Sequence, residues 1–582
     1  MIPYVRKSFY KHFCDGLKYV EGIEIEKDHW KKLDKDNKSI ESDEFRKYSG
    51  AYRYAYDMTQ KECKQATEGM LHNLNSLQSR SGCQLPFSSV NLGLSVEPEG
   101  RMVTKCFLEA LIKGTGKLHK TSIFPCTIYQ MKTGINRKPG DPNYDLFQLA
   151  LKSTAKRLYP NYCNCDWTNQ KNAVLDDRNM KKEVLESLSK EDYDKLLENL
   201  KENKELANML DIIVDGDKMS INYDSERPTE INSTMGCRTW NGSDINYREV
   251  YLRNINSVIK SGKLFDDKFL SAAQKDGRGN IAPVTIILPT IAMEAKEQAI
   301  KSGSDIVEIF MSLLDIKIHE AKDQLIERFN WIANQKPESA KFMYENETML
   351  GYIPEEGVRS ALKHGTLAIG LIGCAETLQV LIGCDQTTPK GLKLIKRILQ
   401  LYKDRCAEFK HEYNLNFGVY YTPAENLCYT SMKKFQAKYG KIPNISENEF
   451  FTNSVHCPVW KPLTPFEKID IESQLAGYSS AGNIMYTEFD ASVNNNIEAL
   501  ENVVNYAMDK DLPYFAINVP SDTCMNCGYI SQIDDKCPVC GSGNIQRLRR
   551  VTGYITSDYT TAFNKGKQDE VHKRIKHNQI WG

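Results

Sequence analysis

Apolar positions along this chain switch repeatedly between helical and strand spacing. Residues 61–79 carry theirs at helical intervals, and the Ser81-Gly82 pair ends the pattern. CQLPFSSVNLGL then predicts a strand with a proline near its start. Residues 101–160 predict a helix, a short apolar strand at Thr121–Tyr129 and a helix at Tyr144–Tyr159, an alternation that argues for βα units. Leucines at helical spacing in the highly charged stretch 180–210 predict a surface helical insertion. IAPVTIILP has the continuous apolar run of a buried strand, and residues 291–335 predict a long amphipathic helical region. GTLAIGLIGCAETLQVLIG combines β-like runs with glycine turns, and NFGVYYTPAENLCYTSMKKF reads as strand, turn and helix. A helix at Ile497–Asp509 and a last strand at YFAINVP complete the pattern, while residues 1–60 predict polar, aromatic-rich helical pieces.

Composition narrows the class. With 582 residues, 41% hydrophobic and 26% charged, the chain can build a large globular core, as several domains or as one large barrel. Lys+Arg 76 balance Asp+Glu 76, so there is no global electrostatic case for nucleic acid or an anionic membrane. No apolar run reaches the roughly 18 residues that span a bilayer, and MIPYVRKSFYKHFCDG lacks the apolar stretch of a secretory signal. The 17 cysteines are odd in number and follow no disulfide-like framework, which predicts a reducing, cytoplasmic setting with mostly free thiols.

Candidate chemistry is uneven. Cys163 and Cys165 form a C-x-C pair with no second pair nearby and read as incidental thiols. Cys374 and Glu376 read equally well as an acid–base pair or as a strand end followed by a helix-opening carboxylate. His456 beside Cys457 reads as packing or a hydrogen-bond donor. Thr422 with Glu425 three residues on has capping-box spacing. The strong metal signal is Cys524, Cys527, Cys537 and Cys540: two CxxC pairs, each followed by glycine, nine residues apart. Four thiolates so spaced suit tetrahedral structural zinc in a ribbon. Lying directly before RVTGY, the ribbon reads as a clip that holds the following loop.

Arg550-Val551-Thr552-Gly553-Tyr554, the cysteine pairs before it, FNKGKQDEVHKRIKH after it and Met235-Gly236-Cys237-Arg238 far upstream together resemble the anaerobic, class III ribonucleotide reductases, which are glycyl-radical enzymes. The resemblance runs from about Gln65 to the C-terminus and implies a ten-stranded α/β barrel with a finger loop through its centre. It implies four regions: a mostly helical extension at 1–60 without an apparent ATP cone, the barrel at 61–520, a zinc ribbon at 521–545, and the glycyl-radical loop with its C-terminal helix at 546–582. Gly553 would carry the radical, Cys237 the thiyl, and Cys83 would donate a proton or hydrogen. Asn280, in GRGN, would position formate. Met235 and Thr239 flank Cys237, and Thr422, Pro423 and Ala424 would lie near the substrate phosphates at a helix N-terminus. The implied cofactors and partners are zinc, formate, an activating enzyme using S-adenosylmethionine and an iron–sulfur cluster, ribonucleoside triphosphates, allosteric nucleotides and a second copy of the chain. A glycyl radical needs glycine because the unpaired electron spreads over the flanking amide and carbonyl, a planar arrangement that a side chain would twist. The implied activity is reduction of ribonucleoside triphosphates. Another glycyl-radical enzyme, of formate-lyase or decarboxylase type, and a non-catalytic zinc-ribbon binding protein remain alternatives. The absence of any adjacent cysteine pair speaks against the formate-lyase type.

Overall fold

The computed structural model describes residues 1–26, 28–78, 85–170, 174–222, 234, 236, 244–265, 279–346, 349, 351–424 and 426–579. Cys83, Met235, Cys237, Thr239 and Glu425 lie outside the described residues. Among those described, eight strands form the wall of a barrel. β1 (Ser89–Leu92), β2 (Cys126–Met131) and β3 (Asn161–Asn164) are parallel. After a small hairpin of β4 (Ile212–Asp215) and β5 (Lys218–Ile221) come β6 (Asn280–Ile287), β7 (Thr366–Ile372) and β8 (Asn416–Tyr421), again parallel. Tyr420 of β8 bridges in parallel to Gly482, just before β9 (Met485–Glu488), which pairs in parallel with β10 (Tyr514–Asn518). β10 runs antiparallel to β3, and there the two halves meet. α/β architecture follows from sequence: β7 is TLAIGLI, buried at every position, and it is buried on both faces because strands flank it and helices cover it.

The core lies in layers. Outside β6–β8, helices Leu288–Ser302, Ile306–Ala333 and Pro389–Tyr413 pack around Leu314, Leu325, Ile369 and Tyr402. Outside β1–β3, β9 and β10, helices Pro98–Lys113, Tyr144–Arg157 and Ile497–Asp509 enclose Tyr129, Phe147, Tyr162 and Phe515. Period-2 alternation sends the neighbouring residues inward, where Ile128, Cys163, Cys165, Tyr486, Tyr514 and Ala516 form a second cluster. Cys163 and Cys165 are thus buried on the inner layer, and the hydrogen bond between them, with burial, pushes the Cys165 thiol up.

Two boundaries depart from the sequence pattern. β2 starts at Cys126 rather than Thr121, because Pro125 has no N–H to give the ladder. The helical region 291–335 is two helices, parted at Gly303 with φ 70°, and Asp305 caps the second through the Val307 and Glu308 amides. The charged segment 180–210 folds as helices that pack with Tyr247–Ser261 around their own cluster, including Leu196, Leu200 and Tyr251. No helix among the described residues is long and apolar enough to cross a membrane.

Candidate active site

The C-terminal third of the site is one continuous construction. β11 (Ser521–Cys524) pairs with β12 (Ile530–Ser531) and with β13 (Ile545–Val551), which folds back on β14 (Tyr554–Thr556). β13 therefore belongs to both the four-cysteine ribbon and the hairpin that holds Gly553. Val551 pairs with Tyr554, so Thr552 and Gly553 alone make the turn. Their φ values are 53° and 95°, the double positive φ that a two-residue hairpin requires. Thr552 is buried, whereas Gly553 is only half-buried. A β-branched residue at positive φ is strained, so the surroundings hold this turn in place.

Each cysteine pair forms the same knuckle. The Gly528 N–H donates to the Cys524 carbonyl and the Gly541 N–H to the Cys537 carbonyl, both at 2.9 Å. The two glycines have φ 78° and 72°. The four Sγ atoms lie within 4.8 Å of one another, with Cys524–Cys540 at 3.5 Å and Cys527–Cys537 at 3.6 Å. A tetrahedral ion with metal–sulfur bonds of about 2.3 Å has sulfur–sulfur edges of about 3.8 Å, so the donor set fits zinc. Asp522, fully buried, binds Arg549 of β13 through both oxygens and accepts the Ile533 N–H. Ser521 meets Thr121 at 2.9 Å, which fastens the ribbon to the barrel.

The C-terminal helix Lys565–Lys573 closes the construction from the other side. Arg574 donates to the Arg550 carbonyl at 2.6 Å and pairs with Glu488 and Glu570. His577 Nδ1 accepts the Glu488 N–H at 2.9 Å, a role for the neutral ring. Burial, with the Lys468 charge, pushes the His577 pKa down to about 3. The unfolded ring titrates near 6.5. The unfolded chain therefore takes up the proton first, and this contribution to stability, complete above about pH 6.5, is lost as pH falls toward about 3, at up to about 1.4 kcal/mol per pH unit. Asn at this position can accept the same N–H through Oδ1 without titrating. His577→Asn should therefore lose melting temperature less steeply than the parent between about pH 6.5 and 4.5. Parallel melting curves would contradict this.

Two residues of the stretch around Met235-Gly236-Cys237-Arg238, Thr234 and Gly236, are among those described. Thr234 is fully buried, and its carbonyl accepts from Asn91 Nδ2 of β1 at 3.1 Å. The Gly236 carbonyl accepts from the Tyr514 hydroxyl of β10 at 3.2 Å. β1 and β10 are separated by β2 and β3, so the segment crosses the inner face of the wall. Gly236 has φ 61°, and a Cβ there would lie 2.7 Å from the Phe87 ring. Asn280 opens β6, donates through Nδ2 to the Ala481 carbonyl at 2.9 Å, and leaves Oδ1 buried without a partner among the described residues.

The 422–424 turn is built differently from its sequence pattern. The helix begins at Leu427, with Asn426 at its N-cap, so Thr422 opens no capping box. Asn564 of the C-terminal segment occupies Asn426 Oδ1 at 2.6 Å. Thr422 Oγ1 instead meets Thr285 Oγ1 at 2.9 Å above Gly370, where a Cβ would sit 2.0 Å from it. The Ala424 N–H is engaged by Asn453 Oδ1 at 3.0 Å, and Ser454 donates to the Thr422 carbonyl. Pro423 sits between these tethered neighbours. Glu376 is in the first turn of helix Cys374–Ile382, where Oε1 accepts both the N–H and the hydroxyl of Thr452 at 2.8 Å. Burial pushes its pKa up to about 7, against those two bonds. His456 Nδ1 lies 3.0 Å from Glu472 Oε2, the hydrogen-bonding arrangement its setting suggests. Sequence reasoning missed Arg550, Asn161 and Tyr514 as a connected group, although each lies in a segment it singled out.

The fold is that of the anaerobic ribonucleotide reductase from Thermotoga maritima with glycerol in the active site, at a TM-score of 0.57 and 16% identity over 88% of this chain and 70% of that one. Residues 1–577 match the family model described as anaerobic ribonucleoside-triphosphate reductase, and the chain belongs to that family. The anaerobic ribonucleoside-triphosphate reductase of Escherichia coli is 29% identical over 541 residues, 90% of this chain. That of Enterobacteria phage T4 is 27% identical over 586 residues, covering 99% of this chain and 77% of the relative. The chain spans 63% of the length of the Escherichia coli relative.

Proposed function

We propose that this chain reduces ribonucleoside triphosphates to deoxyribonucleoside triphosphates by glycyl and thiyl radical chemistry. The observation that carries this reading is the Thr552-Gly553 turn. It puts a glycine at positive φ on a strand shared with a four-cysteine cluster, and Arg550 of that strand reaches the barrel face that Gly236 crosses. Gly553, after losing a hydrogen to an activating enzyme of the S-adenosylmethionine and iron–sulfur type, takes one from the Cys237 thiol. The resulting thiyl abstracts the ribose 3′ hydrogen, which weakens the 2′ C–O bond. The hydroxyl leaves as water with a proton from Cys83. Formate supplies the two electrons and is oxidised to carbon dioxide, with Asn280 as its positioning residue. Oδ1 of Asn280, buried and without a partner among the described residues, supports a polar ligand there. Substrate phosphates lie toward Thr422, Pro423 and Ala424. The single Ala424 N–H is engaged by Asn453, whereas the Thr422 hydroxyl, which meets Thr285, can accept there and still donate to a phosphate oxygen. Zinc in the four-cysteine site is structural. The working protein is a cytoplasmic homodimer regulated by nucleotides.

The test is anaerobic product formation after activation, with formate as sole reductant in one arm and a thioredoxin system in the other. Deoxynucleotide formation with formate alone is the expected outcome. Activity only with the thiol system would overturn the formate assignment, and activity with neither would overturn the reductase reading.

A further inference from the structure

Arg550 is a buried guanidinium, 2% exposed, and among the described residues no carboxylate pairs with it. A buried charge is costly unless its donors are satisfied. One arm donates to the Leu158 carbonyl and the other to Asn161 Oδ1, both at 2.9 Å, and the group lies 4.8 Å from the Tyr159 ring centroid. The bonding continues in one direction. Asn161 Nδ2 donates to the Tyr514 hydroxyl at 2.9 Å, and that hydroxyl donates to the Gly236 carbonyl at 3.2 Å. Asn161 and Tyr514 are 3% and 0% exposed. Both face inward from neighbouring antiparallel strands: Tyr514 pairs with Cys163, two residues from Asn161. The chain of bonds thus starts three residues before Gly553 and ends at the peptide carbonyl directly before Cys237.

We infer that Arg550, Asn161 and Tyr514 are a positioning relay that sets the finger segment in register with the radical hairpin. This rests on the reading that Gly553 and Cys237 exchange a hydrogen. The hairpin and the Thr234–Gly236 stretch come from distant parts of the chain. Hydrogen transfer between carbon and sulfur needs the two atoms in close, fixed approach. The wall strands β3 and β10 supply a rigid common reference, and the relay connects both turns to it. Arginine suits the first position because its planar fork presents two separate nitrogens to a carbonyl and an amide oxygen in one fixed geometry, where a lysine offers a single nitrogen on a flexible stem. Tyrosine suits the last because its hydroxyl accepts from Asn161 and donates to Gly236 at once.

The test uses Tyr514→Phe, which removes only the hydroxyl, and Asn161→Asp, which keeps an acceptor for Arg550 and removes the donor to Tyr514. Each variant and the double variant would be activated anaerobically. The glycyl radical would be counted by spin resonance, and turnover expressed per radical alongside substrate KM. The expected result is unchanged radical yield and KM with turnover per radical down roughly tenfold or more, on the scale set by misplacements of about an ångström. The double variant should lose no more than the worse single variant, since both break the same chain. Parent-like turnover per radical in Tyr514→Phe, additive losses in the double variant, or losses that only follow radical yield would each overturn the relay. A parent protein that forms no radical would remove the reading beneath it, and the relay with it.

Discussion

Replacing Gly553 by alanine is expected to abolish the proposed nucleotide reduction while leaving the fold in place. The turn that holds Gly553 has φ 95° there, so an alanine costs about 1–2 kcal/mol of backbone strain. That penalty is local to a two-residue turn, and the barrel core built on β6–β8 has no part in it. The chemical loss is total: with a side chain at this position the planar, delocalised radical is not supported. The expected result is therefore a melting temperature within a few degrees of the parent and no deoxynucleotide above background. Unaltered activity would show that Gly553 is only a turn residue.

Removing the metal gives the second large effect. The parent should contain about one zinc per chain by elemental analysis, held by Cys524, Cys527, Cys537 and Cys540. Structural zinc contributes about 10–16 kcal/mol of binding free energy in small domains, far more than the ribbon's short strands could replace. Without it the knuckles open, and β11 loses its hold on β13. Because β13 continues into the Thr552-Gly553 turn, the hairpin loses its register, and Arg549 loses the Asp522 carboxylate that anchors it. Cys524→Ser, or chelation of the parent, should lower the radical yield at least about tenfold, which is a shift of about 1.4 kcal/mol in a two-state balance. The main melting transition of the barrel should persist. Full radical yield in zinc-free protein would show that the ribbon is not the hairpin's support.

The sequence carried the local constructions and lost the tertiary ones. CxxC followed by glycine is a complete description of a knuckle, because all its bonds close within five residues, and Gly528 and Gly541 take the positive φ that the spacing asks for. The helix at Ile497–Asp509 matches its apolar periodicity end to end. The capping box at Thr422 failed because its hydroxyl meets Thr285, far back along the chain, and the helix takes Asn426 as its N-cap, four residues later. Glu376 sits where a helix-opening carboxylate was expected, yet its raised pKa comes from burial, against Thr452, a contact no local pattern contains. Asn161 and Tyr514 each occupy one inward position on a short strand, and only the β3–β10 pairing, formed across 353 residues of sequence, brings them together.

Storage of the radical at Gly553 is tested most directly by anaerobic electron spin resonance of the activated protein. Protein made with ordinary glycine should show a doublet, split by the single remaining α hydrogen. Protein made with glycine deuterated at Cα should show that splitting collapse, and Gly553→Ala should show no signal in the same competent activation mixture. A doublet that survives in Gly553→Ala, or no signal from the parent in that mixture, would contradict the account.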